Sequence, residues 1–340
     1  MPILLAVLIT LIVLSGCVPP ERIPPAPKTS EILVIPESRT VDEVSALPPE
    51  RSLDALGTMH LVGTGFTVLE RLSRTAVYDR HRISYKSNGL TISGIMNIPR
   101  SGSGHPLLVL NHGYIATSVY TNGRGLKREQ HALASRGFAV LHPDYRGHAE
   151  SDESPDESEV YDASLEYTMD VVNAIAAVRG ASIPGVDTTR VGMLGHSMGG
   201  GIALNVAVAF PSLVDAIVLY APVHADAFEN YMRWRGEREP GDRTLEVLKT
   251  REENPAGWDA LSSKTFLDRI TIPILVFHGK RDKDVPKEWS DGLIANLRAV
   301  GKVVTYTEYA GEGHEFSVLF EKFMDETAEF FEKHLKGSER

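Results

Sequence analysis

Cys17 is the only cysteine in the chain. No disulfide can form within it, and no cysteine-based zinc site can be built. Long apolar runs are scarce as well. The stretch from Ile3 to Leu14 falls short of the roughly 18–20 apolar residues that an ordinary membrane-spanning helix needs. Positive charge is in deficit, with 35 Lys and Arg against 45 Asp and Glu. A formal charge of −10 argues against nucleic acid or anionic lipid as the main partner. There is no internal repeat, and no His/Asp/Glu cluster has metal-ligand spacing. No G-x-G-x-x-G follows a strand with an acid downstream, so neither a metal nor a dinucleotide cofactor is expected.

What is present has the makeup of a globular protein. At 340 residues, 42% hydrophobic and 24% charged, the chain suffices for one large α/β domain or two smaller ones. Its N-terminus reads differently from the rest. Ile3 to Leu14 fits the apolar core of a secretory signal. The ending Leu14-Ser15-Gly16-Cys17 resembles a bacterial lipoprotein lipobox, in which the cysteine becomes the lipidated first residue. That resemblance implies a signal peptide over residues 1–16, lipid attachment at Cys17, and an extracytoplasmic position in the cell envelope, lipid-anchored to a membrane. No Lys or Arg precedes the apolar run, which leaves an uncleaved N-terminal anchor or a cytoplasmic protein as the alternatives. Residues 17–52 are rich in proline (Pro19, Pro20, Pro24, Pro25, Pro27, Pro36, Pro48 and Pro49) and read as an extended tether, or else as an arm wrapped on the domain.

Residues 53–338 read as one domain. Leu53 to Leu72 is ambiguous. Arg80–Lys86 and Leu90–Ile98 are alternating runs joined by Ser87-Asn88-Gly89, a strong hairpin signal. Thereafter short apolar runs at Leu107–Leu110, Phe138–Leu141, Val191–Leu194, Ile217–Leu219, Ile274–Phe277 and Val303–Tyr306 alternate with helical stretches. Those stretches are Arg124–Arg136, Val160–Val178, Met198–Ala209, Lys287–Val300 and Phe316–Leu335. The pattern predicts an antiparallel hairpin leading into a mostly parallel twisted sheet with helices on both faces. Ligands of such a sheet bind beyond the carboxyl ends of its strands. About fifty residues, 223–272, separate two late core strands, an interval long enough for a lid. Phe228, Tyr231 and Trp234 could share one helix face there, either packing the lid down or lining a pocket.

The most informative segment is Gly195-His196-Ser197-Met198-Gly199-Gly200, between an apolar strand and an Ala/Val-rich helix. This is G-x-S-x-G in the strand–turn–helix setting that exposes a nucleophilic serine. A serine hydroxyl needs a base to take its proton and a third group to orient that base. Two later strands end in suitable loops. One is His278-Gly279-Lys280-Arg281-Asp282-Lys283-Asp284, and the other is Gly311-Glu312-Gly313-His314. Their order after the serine is acid, then histidine.

With Asn111-His112-Gly113-Tyr114, Asp144-Tyr145-Arg146-Gly147, and Asp282 followed by Val285-Pro286, these pieces resemble the α/β-hydrolase fold. More narrowly, they resemble the prolyl-oligopeptidase-type (peptidase S9-like) catalytic domain and related microbial esterases, over about residues 80–335. The resemblance implies Ser197 as nucleophile, His314 as base and Asp282 as acid, with Asp284 as the rival for the last role. It further implies an oxyanion hole formed by the backbone N–H groups of Tyr114 and Met198. His196 reads as packing beneath the turn, His112 and His278 as loop braces, and Asp144 with Arg146 as an ion pair. The expected activity is hydrolysis of carboxylic esters through an acyl-enzyme, because peptidases of this family usually carry a large propeller before the catalytic domain. The alternatives are a serine peptidase or amidase on short peptides and, more remotely, a non-catalytic envelope binding lipoprotein. The partners implied are a small ester or short peptide and a membrane reached through the lipid anchor. Nothing in the sequence sets an oligomeric state.

Overall fold

The computed structural model describes residues 51–155, 160–236 and 241–336. Cys17, the signal segment 1–16 and the tether as far as residue 50 lie outside the described residues. Ser52 caps the first helix, α1 (Leu53–Thr58), by accepting from the Ala55 N–H at 3.0 Å. Strand β1 (Thr64–Arg74) follows, so the ambiguous stretch resolves into a short helix and an edge strand. Next comes the hairpin β2 (Tyr78–Ser87) and β3 (Leu90–Pro99), closed by Asn88 and Gly89 at φ 48° and 88°. Two left-handed residues in sequence match the right-handed twist of the strands they join.

From there strands and helices alternate. In order they are β4 (His105–Asn111), α2 (Lys127–Ser135), β5 (Ala139–Pro143), α3 (Leu165–Ala181), β6 (Val186–His196), α4 (Met198–Ala209) and β7 (Ala216–Tyr220). The interval 223–272 holds α5 (Ala227–Trp234), α6 (Thr244–Leu248) and α7 (Pro255–Leu261). The chain then forms β8 (Ile274–Gly279), α8 (Lys287–Ala299), β9 (Val304–Tyr309) and α9 (Phe320–Phe331). Among the described residues the strands make one sheet in the order β1-β2-β3-β5-β4-β6-β7-β8-β9. Pairing is antiparallel from β1 to β5 and parallel from β5 to β9.

The apolar runs form the central strands because both faces of the sheet are covered. On one face α3, α4 and α8 pack through residues such as Ile175, Ile202 and Leu293. On the other α2 and α9 pack through Leu133, Phe323 and Phe331. Among the described residues no helix is long and apolar enough to cross a membrane.

Register decides where function can sit. Asn111 pairs with Gly195, His196 with Tyr220 and Gly279 with Tyr309. The carboxyl ends of β4, β6, β7, β8 and β9 are therefore level, and the loops leaving them meet at one edge of the sheet.

Candidate active site

Ser197 stands between β6 and α4 with φ 56° and ψ −120°, a conformation that costs a non-glycine residue of order 1–3 kcal/mol. Neighbouring glycines make the turn possible. A Cβ on Gly195 would fall 2.1 Å from the Gly199 carbonyl oxygen, and one on Gly199 would fall 2.0 Å from that of Asn111. The Ser197 N–H donates to the Tyr220 carbonyl at 3.0 Å, and its own carbonyl accepts from Gly200 and Val223. The strained backbone is thus held from both sides. Among the described residues its Oγ makes no hydrogen bond, and Ser197 and His314 line the same cavity.

The loop after β9 presents His314, and its Nδ1 lies 2.8 Å from Asp282 Oδ2 in the loop after β8. The Asp282 side chain has no solvent exposure. Burial opposes its ionisation, but hydrogen bonds from His278 and His314 and from the Val285 N–H outweigh that cost and hold the carboxyl below its ordinary range. Its Oδ1 accepts from the Asp284 and Val285 N–H groups, each at 2.9 Å. An ionised carboxylate only accepts, so the His314 Nδ1 carries a proton directed at Asp282. Asp284, the rival acid, is exposed and forms no hydrogen bond with His314 among the described residues.

Several residues anchor the His314 loop. His196 Nε2 lies 3.0 Å from the His314 carbonyl oxygen, and the two rings sit 4.5 Å apart. The Phe316 N–H donates to the Tyr220 hydroxyl, and Arg128 Nη2 donates to the Phe316 carbonyl at 2.8 Å. The Glu312 carboxylate accepts from the N–H groups of Ser317 and Leu319. These caps use up residues 316–319, and α9 begins at Phe320 rather than at Phe316 as the sequence pattern suggested. His196 therefore does more than pack beneath the turn.

The loop after β4 covers the elbow. A Cβ on Gly113 would lie 3.0 Å from Ser197 Cβ, so the chain before Tyr114 passes directly over the serine. Met198 is the first residue of α4, where a backbone N–H has no acceptor one turn earlier. His112 fixes this loop from below: its Nδ1 lies 2.7 Å from the Gly113 carbonyl, and its ring stacks on Tyr145 at 4.2 Å. The Tyr114 side chain is 78% exposed, so it does not pack within the domain.

Asp144 and Arg146 do not pair with each other. Asp144 turns toward β3 and the 120–123 loop, accepting from Ser93, Tyr120, Asn122 and the Gly123 N–H. Arg146 turns the other way, holding Asp170 with two hydrogen bonds and Glu166 with a third. Tyr145 between them has φ 68°, and this left-handed residue sends the flanking side chains apart. His278 does brace its loop, with Nδ1 2.7 Å from Ser290 Oγ, and it also reaches Asp282 at 3.2 Å.

A cavity of about 1150 Å³ opens over Ser197 and His314. The 223–272 interval supplies part of its wall through Val223, Asn230, Trp234 and Arg235. The aromatic residues of α5 divide between the two roles considered for them. Phe228 and Tyr231 pack against buried Trp258 at 4.9 and 5.5 Å, whereas Trp234 faces the cavity. Asp282, Asp284 and His314 each offer a donor atom within 4.8 Å of the others, but Asp282 Oδ2 already accepts from two imidazoles.

Burial keeps three nearby imidazoles neutral. It lowers His112 to about 4 and His196 to about 3, and it pushes His142 well below the ordinary value. Above about pH 6.5 the folded and unfolded chains alike leave them uncharged. Below that, the unfolded chain takes up protons that the folded chain refuses, so stability falls as pH drops toward the folded values. His112 and His196 should each cost on the order of 3 kcal/mol by about pH 4. Thermal unfolding should show Tm falling steadily from about pH 7 to about pH 4, and a flat Tm would contradict this burial.

The level strand ends, the elbow at Ser197 and the loops bearing Asp282 and His314 define an α/β-hydrolase. A model of the prolyl oligopeptidase family matches residues 124–338, and the chain belongs to that family. An uncharacterized protein of Mycobacterium tuberculosis is 31% identical over 129 residues, covering 38% of this chain and 33% of that protein. The chain thus spans about a third of the length of the mycobacterial relatives it matches. The uncharacterized peptidase YtmA of Bacillus subtilis is 24% identical over 237 residues, 69% of this chain and 86% of that protein. Among solved structures, acetyl xylan esterase 1 from Thermoanaerobacterium aligns with TM-score 0.58 at 19% identity, covering 83% of this chain and 92% of that one. Acylaminoacyl peptidase from Pyrococcus horikoshii aligns with TM-score 0.65 at 21% identity, covering 78% of this chain and 43% of that one.

Proposed function

We propose that this protein hydrolyses carboxylic esters through Ser197, His314 and Asp282 by way of an acyl-enzyme. The observation that carries the reading is the 2.8 Å hydrogen bond from His314 to buried Asp282, in a cavity shared with a serine on a strained elbow. Asp282 holds the imidazole with Nε2 as acceptor. His314 takes the Ser197 proton as Oγ attacks the ester carbonyl, and returns it to the leaving alcohol. Water then attacks the acyl-enzyme by the same route, releasing the acid. The N–H groups of Met198 and Tyr114 receive the developing oxyanion.

That last role predicts the behaviour of a Gly113 variant. In Gly113→Val the new side chain meets Ser197 and displaces the loop that carries the Tyr114 N–H. Loss of one such donor lowers kcat by about 10²–10³. Steady-state kinetics on a p-nitrophenyl ester should show this fall with KM little changed, and an unchanged kcat would contradict the placement.

One observation supports ester over peptide: the alignment accounts for 92% of the acetyl xylan esterase chain but 43% of the acylaminoacyl peptidase. Family membership supports the second reading, an amidase acting on short peptides. Comparing kcat/KM for p-nitrophenyl acetate and butyrate with that for short peptide amides separates the two, and faster peptide turnover would reverse the order.

The N-terminal segment supports a lipid-anchored protein of the bacterial envelope, with the attachment on Cys17. Two or three acyl chains at roughly 0.8 kcal/mol per buried CH₂ suffice for stable anchoring. Mass spectrometry of the mature protein should find Cys17 as a lipidated first residue, and an intact Met1 with a free Cys17 thiol would exclude it.

A further inference from the structure

We propose that Arg233 is a positioning residue, through which the 223–272 interval holds the loop that carries the catalytic acid. The proposal rests on the assignment of Asp282 as the group that orients His314.

Arg233 lies in the last turn of α5. Its Nε donates to the Asp284 carbonyl oxygen at 3.0 Å, and its Nη2 donates to the same oxygen. The guanidinium carbon sits 4.8 Å from the Trp234 ring and 5.6 Å from the Trp289 ring. Trp289 belongs to α8, the helix that follows the acid loop, and its ring meets that of His224 edge-on at 5.0 Å. Aromatic faces attract the cation and limit its rotamers. Arg233 therefore ties α5 to the acid loop through a hydrogen-bonded fork and to α8 through an indole.

The loop it grips does one thing for Asp282. The N–H groups of Asp284 and Val285 both donate to Asp282 Oδ1, while Oδ2 receives His314. A short series of hydrogen bonds thus runs from Arg233 through the Asp284 backbone to the carboxylate and on to the imidazole. Adjacent residues of a helix point about 100° apart. That spacing lets Trp234 face the cavity while Arg233 faces the acid loop. One helix end therefore touches both the substrate space and the support of the acid, and a small misplacement of a catalytic group is costly.

The test is a double-mutant cycle in p-nitrophenyl acetate hydrolysis, with wild type, Arg233→Gln, Asp282→Asn and the double variant. Arg233→Gln should lower kcat roughly three- to tenfold, the worth of one hydrogen bond, with KM little moved. In the Asp282→Asn background the same change should have no further effect, because the path it acts through is already cut. Arg233→Lys keeps the cation beside both indoles but loses the fork, so it should recover part of kcat. It also stands in as the comparison if the glutamine variant folds poorly. An equal loss in both backgrounds, a rise in KM alone, or no loss at all would overturn the proposal. If Asp282→Asn by itself leaves kcat intact, the triad assignment falls and the proposal falls with it, a result distinct from the other three.

Discussion

Replacing Ser197 with alanine should lower kcat by about 10⁶, the loss typical when a triad nucleophile is removed. KM and Tm should change little, since Ser197 lines the cavity and its Oγ makes no hydrogen bond among the described residues. The backbone strain at φ 56° remains in the variant, because alanine also carries a Cβ. Any residual turnover should come from the oxyanion donors and substrate binding alone. Steady-state kinetics with p-nitrophenyl butyrate on purified protein measure it. Turnover within tenfold of wild type would reject covalent catalysis at this serine.

The second large effect separates the two candidate acids. Asp282→Asn keeps the shape of the side chain but sets an amide where His314 Nδ1 now donates. The imidazole must then move its proton to Nε2, the nitrogen that should accept from the serine, and kcat should fall by about 10⁴. Asp284→Asn should change kcat by less than about threefold, since Asp284 is exposed and makes no hydrogen bond with the imidazole among the described residues. Equal losses in both variants would mean that the two acids share the role.

The site is legible in the sequence wherever its geometry is local. A nucleophile elbow compresses strand, turn and helix into Gly195 to Gly199, because each glycine there answers a contact within 2.1 Å. Asp282 and His314 are legible because each follows an apolar strand through a glycine-bearing loop, and β8 and β9 end level. The supports of these residues are not legible. His196 meets the His314 backbone across 118 residues, and Arg128 meets that of Phe316 across 188. No spacing rule spans such separations; only the sheet order brings these groups together.

The fold shows the same division. The central strands stand out as apolar runs because helices cover both their faces. The edge strand β1 does not, since nearly all of Thr64–Arg74 is exposed and its pairing with β2 is interrupted by register shifts. Without a buried face there is no alternation to read. Asp144 and Arg146 invite pairing by proximity and charge, yet the left-handed Tyr145 between them sends each to a different partner.

The most direct measurement is covalent labelling with a fluorophosphonate, followed by peptide mass spectrometry. A serine ionised by an oriented imidazole should take up one phosphonyl group, on the peptide bearing Ser197, and His314→Gln should slow that reaction by orders of magnitude. Labelling at another residue, or an active protein that takes up no label, would contradict the account.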